Sequence, residues 1–171
     1  MTTQPLKWRR ALCVLALAAA ATLGQPARAQ PDDFTQAVLG YELSLPKVEA
    51  YTLALQDLVA WAKKHPKDLA VLRGKSGGAT TTLEAAIARL ERTPAIKTVL
   101  DKHGLSGRDF ALAPMALMTS HTAVMAAQHG AAIPADRINV ANVALVKTNA
   151  PRIEQLMPDI TAALRTLRGE K

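Results

Sequence analysis

Cysteine is nearly absent from this chain: the 171 residues contain one, Cys13. Aromatic rings are scarce too, six in all (Trp8, Phe34, Tyr41, Tyr51, Trp61 and Phe110), and no run of alternating β-branched residues follows residue 30. The first absence excludes a disulfide scaffold, the second a surface that stacks on nucleobases, and both scarcities together a β-sandwich. What is abundant is alanine, 33 residues within a composition that is 49% hydrophobic, which favours closely packed helices. A chain of this length buries roughly 70% of its unfolded surface, so its core needs no cross-link.

The first thirty residues have the layout of a secretory leader. Lys7, Arg9 and Arg10 precede an apolar stretch of thirteen residues from Ala11 to Leu23, and Ala27-Arg28-Ala29 supplies an A-x-A cleavage site. The stretch is too short for a spanning helix, and its cations precede it instead of lining one face as in an interfacial anchor. Residues 1–29 therefore read as a leader and 30–171 as a single domain, periplasmic or secreted. Cys13 leaves with the leader, and its neighbours Arg10-Ala11-Leu12 are not the small residues that lipid attachment requires. Removing four of the 21 basic residues leaves 17 against 14 acidic ones, a net charge of +3. That balance makes no electrostatic case for nucleic acid as a partner.

From residue 31 onward the pattern is helical. Phe34, Val38, Tyr41 and Leu45 fall on one face, with Ser44 and Pro46 marking a break. Val48, Tyr51, Leu55, Leu58 and Ala62 repeat the pattern up to Lys63-Lys64-His65-Pro66, whose charges suit a helix C-terminus. Asp68 to Arg73 reads as a short helical turn before the glycine-dense run Gly74-Lys75-Ser76-Gly77-Gly78. Thr81 and Glu84 have capping-box spacing ahead of Leu83, Ile87 and Leu90, and Thr93-Pro94 restarts the chain toward a stop at His103-Gly104. Ser106 and Asp109 form a second such box, after which no charged residue occurs from Phe110 through Ala135. A helix apolar all round is either a core helix or a membrane span; Pro114, Ser120, His121, Gln128 and His129 favour the core. Asn139 caps a further helix, and Ile153, Leu156, Ile160, Leu164 and Leu167 form a terminal stripe that Pro158 bends without ending. The expected fold is an all-α compact bundle of about five to seven helices around a central buried helix near 107–129, with no span in the mature chain.

Few residues suggest chemistry. Arg73-Gly74-Lys75-Ser76 ends like a phosphate loop, but Leu69 stands where that signature needs its first glycine and no strand precedes it. Met115, Met118, His121, Met125 and His129 share a broad face, and thioether with imidazole suits copper(I) or haem iron, so Met118, His121 and Met125 are candidate metal ligands. The competing reading is ordinary core packing, and no C-x-x-C-H permits covalent haem. No catalytic residue emerges: Ser120 and His121 point 100° apart on a helix, and the carboxylates are scattered, with Asp57 and Glu154 nearest to apolar stripes.

Gly104-Leu105-Ser106-Gly107-Arg108-Asp109-Phe110, continuing through Leu112, Met115, Leu117 and Met118, with Asn139-Val140-Ala141-Asn142-Val143 further on, resembles a group of small exported, alanine-rich helical proteins from bacteria. The similarity spans roughly residues 45–165 and implies an exported helical domain, with no particular activity. The expectation is a non-enzymatic module that binds a protein or a small apolar ligand between helices, and copper or haem binding is the alternative. Sequencing the amino terminus of the exported protein should return Gln30; recovery of Met1 there would mean that the leader is retained.

Overall fold

The computed structural model describes residues 33–69 and 82–170, so the expected leader, the phosphate-loop-like run at 73–76 and Thr81 lie outside the described residues. The rest is an all-α bundle: α1 (Asp33–Leu39), α2 (Leu45–Lys64), α3 (Leu83–Arg92), α4 (Pro94–Lys102), α5 (Gly107–Gln128), a 3-10 turn (Ala135–Arg137), α6 (Val140–Thr148) and α7 (Ala150–Arg168). Helix α5 packs against α1, α2, α3, α4 and α6, while α2 also packs along α7 and against α4.

The local signals explain most boundaries. Ser44 accepts from the Lys47 amide and proline occupies the first turn, so α2 starts where its donors are satisfied or missing. At α5 the capping box forms in both directions between Ser106 and Asp109. Asn139 caps α6 by accepting from the Asn142 amide at 3.1 Å. At α3 the cap is Thr82, which accepts from the Ala85 amide at 3.2 Å, and not Thr81 as the spacing to Glu84 suggests. Thr93 precedes α4 without a side-chain cap, because its hydroxyl donates instead to the Arg89 carbonyl at 2.9 Å.

The expected face through Phe34, Val38, Tyr41 and Leu45 is divided between two helices. Helix α1 stops at Leu39, and residues 41–44 run without helical structure into α2. The side chains of α6 hold this segment. Asn142 accepts from the Leu43 amide at 2.8 Å and donates to the Tyr41 carbonyl at 2.7 Å, and Asn139 donates to the Leu39 carbonyl at 2.8 Å. Asparagine thus supplies the pairing that a helix would otherwise have given these backbone groups. Beside it, Asp109 collects the Tyr41 hydroxyl at 2.7 Å, the Lys47 ammonium at 2.8 Å and the Ser106 hydroxyl at 2.6 Å. Lys47 also lies over the Tyr41 ring, 5.0 Å from its centre.

The stripe expected for α2 is buried in full: Val48, Tyr51, Leu55, Leu58 and Ala62. Burial of each large side chain contributes about 1.5–3 kcal/mol, which makes α2 a main support of the core. Close approach matters at one glycine. A Cβ on Gly107 would lie 2.8 Å from the exposed Glu91 side chain of α3, so glycine leaves room for that side chain at the start of α5.

Helix α5 is central, but one face of it is open. Leu112, Ala113, Ala116, Leu117, Ser120, Ala123 and Val124 are buried, whereas Met115, Met118 and Met125 are 46%, 47% and 38% exposed. By length and composition alone this helix could cross a bilayer. From Phe110 onward its charge-free sequence follows the helix around, but its neighbours cover only one side. Unbranched, polarisable methionine occupies the other.

Two outcomes test this framework. Asn142 is 2% exposed, so Asn142→Ala leaves the Leu43 amide without its acceptor and should lower unfolding stability by about 2–4 kcal/mol in chemical denaturation; a loss below about 0.5 kcal/mol would refute its pinning role. Partial burial pushes the Asp109 carboxyl up, yet hydrogen bonds from Lys47, Ser106 and Tyr41 more than reverse this and hold it well below the usual carboxylate range. Its contribution is therefore intact above the unfolded value of about 3.9 and is lost as pH falls toward the folded one. Stability should decline below about pH 4, and Asp109→Asn should be less stable at neutral pH while showing a shallower acid limb.

Candidate functional site

Helix α2 packs on α7, and α3 packs on α5. Between the two pairs lies an open-sided cavity of about 560 Å³. Helix α2 contributes Tyr51, Leu58 and Trp61, three residues on one face at steps of seven and three. Phe34 enters from α1, Phe110, Ala111 and Pro114 come from α5, and Leu164 and Leu167 close the α7 side. Helix α3 adds Ala86, Arg89 and Leu90, followed by Thr93 and then Ile96 of α4. Four of the chain's six aromatic rings thus converge on one space. Leu164 and Leu167, which continue the buried stripe of α7, pack against the core and are only partly covered, with this cavity on their open side.

Tyr51 is the most informative lining residue. It is 2% exposed, and its ring lies 5.2 Å from that of Phe110 at a tilt of 49°. Its hydroxyl has no hydrogen-bond partner among the described residues. No fully enclosed side-chain oxygen or nitrogen among those residues lacks a partner, so this hydroxyl must reach the cavity. Burial pushes the Tyr51 phenol far above its ordinary range, against a smaller opposing effect of the Arg168 charge. The group is therefore a neutral donor at physiological pH. Arg89 is the one charged residue among the lining side chains described, and Thr93 is occupied by its bond to the Arg89 carbonyl. The space is apolar, within the range of small-molecule sites, and carries a small number of polar groups.

The histidine and methionine candidates lie elsewhere. His121 lines a shallow open groove of about 500 Å³ against α7, with Glu154, Met157, Pro158 and Arg165. Its imidazole makes no hydrogen bond to a described residue. Met118 and Met125 are on the open stripe of the same helix, and no group of three or more His, Cys, Asp or Glu side chains suited to a metal occurs among the described residues. Ser120 is buried and donates to the Ala116 carbonyl at 2.7 Å, while His121 faces the groove, so the two diverge as their spacing requires.

The two carboxylates singled out by the sequence each end near a histidine. Asp57 meets His103 Nε2 and Lys102 Nζ, both at 2.7 Å, and these two contacts, the lysine's first, lower its pKa. This pair ties α2 to the end of α4. Glu154 shares the groove with His121.

Sequence reasoning placed Tyr51 on the apolar face of α2, left Trp61 unassigned, and missed the cavity that Tyr51, Trp61 and Phe110 line. The available signal was an aromatic pair, Tyr51 and Trp61, on one face of α2 in a chain with few other rings. Compared with known proteins, the chain matches no family model, no curated sequence and no solved structure.

Proposed function

We propose that this protein is an exported, non-enzymatic helical module that takes up a small apolar molecule in the cavity between the α2–α7 and α3–α5 pairs. The observation that carries this reading is the convergence of Phe34, Tyr51, Trp61 and Phe110 on about 560 Å³ of space. Four rings could have packed against one another and closed the core, because unfilled apolar space forfeits dispersion contacts. Their arrangement around a void instead fits a guest that supplies the missing contacts. The leader-like amino terminus supports a periplasmic or secreted location, where such a module would meet its ligand after cleavage near Ala29.

A second reading draws on one specific feature, the unpartnered imidazole of His121 in the groove with Met157 and Glu154. It assigns copper(I) or haem to Met118, His121 and Met125, ligands that suit a soft metal.

One set of titrations separates the two. The neutral dye N-phenyl-1-naphthylamine should bind with a stoichiometry of one and raise unfolding stability by about 2.7 kcal/mol at a hundredfold excess over its Kd. Ala86→Trp, which fills the cavity from α3, should weaken that binding at least tenfold, and His121→Ala should not. Absence of dye uptake by the folded protein would defeat the cavity reading. Stoichiometric copper(I) uptake abolished by His121→Ala would select the metal reading.

A further inference from the structure

Helix α7 has a second face, turned away from the cavity, that lines the shallow groove shared with His121 of α5. Glu154, Pro158, Thr161 and Arg165 follow one another at steps of four, three and four, so all four fall within about 60° of the helix circumference. Each of them is exposed. On α5, Met118 and Met125 stand three residues before and four residues after His121, so the exposed methionines border the groove on that side.

The charges of α7 divide into two sets. Arg152 pairs with Glu49 at 2.8 Å, Asp159 accepts from Gln56 at 3.3 Å, and Arg168 lies 3.8 Å from Glu170. The other two charged side chains of the helix are Glu154 and Arg165, and neither meets a partner among the described residues. They stand at opposite ends of the groove, about 16 Å apart along the axis, with opposite sign. Such a face is complementary to itself when one copy is reversed. In an antiparallel pair with a two-fold axis between residues 159 and 160, Glu154 of each copy faces Arg165 of the other and Pro158 faces Thr161. A parallel pair would instead set like charges together at both ends.

We propose that a second copy of this chain occupies the groove, its α7 antiparallel to the first, with a Glu154–Arg165 pair at each end. The small side chains of Thr161 and Ala162 let the helices approach at the centre. Met118 and Met125 of each copy cover the helix of the other, and α5 adds no like charge because none occurs from Phe110 through Ala135. The paired faces are about 16 Å long and about 20 Å across two helices, so the interface belongs with the small, transient ones. This assembly is independent of the cavity, which shares no described lining residue with the groove.

Sedimentation equilibrium of the full chain from about 1 to 300 μM should show a monomer–dimer equilibrium that weakens as salt is raised. Glu154→Arg and Arg165→Glu, each alone, place like charges at both ends and should weaken dimerisation by about tenfold or more. Both side chains are exposed, so the unfolding midpoint of the dilute monomer should stay where it is. The double reversal, Glu154→Arg with Arg165→Glu, should return the Kd to within about threefold of the original, and an equimolar mixture of the two single variants should also dimerise. If either reversal unfolds the chain, Thr161→Trp decides, because its bulk at the two-fold axis should abolish the dimer. A chain that stays monomeric throughout the range would overturn the proposal, as would a dimer that single reversal leaves intact or that double reversal fails to restore.

Discussion

The junction of α2 with α5 sets the geometry on which the rest depends. Asp109, fixed by the Ser106 cap, takes hold of Lys47 and Tyr41 at the entrance to α2. One residue further along α5 and one turn further along α2, Phe110 meets Tyr51. A polar clamp and an aromatic contact thus lie side by side along the same helix pair, and the first fixes the register of the second. If α2 slid by a turn, Tyr51 would leave Phe110, and Trp61 would leave the wall of the cavity.

Asparagine extends this control to α6. The Leu39 and Tyr41 carbonyls and the Leu43 amide are paired by Asn139 and Asn142, which lie about a hundred residues away in the chain. Such bonds contribute modestly when made and cost more when broken, because a buried amide left unpaired loses its hydration without return. The result is a first half of the chain tied to the second by polar bonds of defined direction, in a protein whose helix contacts are otherwise alanine-rich and undemanding in geometry. Specific polar contacts fix the register, while apolar burial supplies most of the stability.

A bundle held in this way can tolerate space between its helices. With α2 committed to α7 and α3 committed to α5, the gap between the pairs is lined mostly by large apolar side chains. The open methionine stripe of α5 has a similar origin: neighbours reach one side of the helix, and the other keeps its apolar residues without a cover. Both features arise from where the helices meet, so neither is visible in the periodicity of any one of them.

What the sequence by itself determined is therefore local. The spacing of Val48, Tyr51, Leu55, Leu58 and Ala62, the Ser106–Asp109 box and the Asn139 cap each follow from contacts within a few residues, and each is found in the structure. The end of α1 at Leu39 was not legible, because the asparagines that stabilise residues 41–43 outside a helix lie on α6. Nor could the sequence separate Leu55, wholly buried in the core, from Leu164, only partly covered at the cavity, since both occupy apolar stripes of the same period. Tertiary structure decided which stripes found a partner helix and which were left facing a void. That outcome depends on the approach of elements far apart in the chain, and helical periodicity carries no information about it.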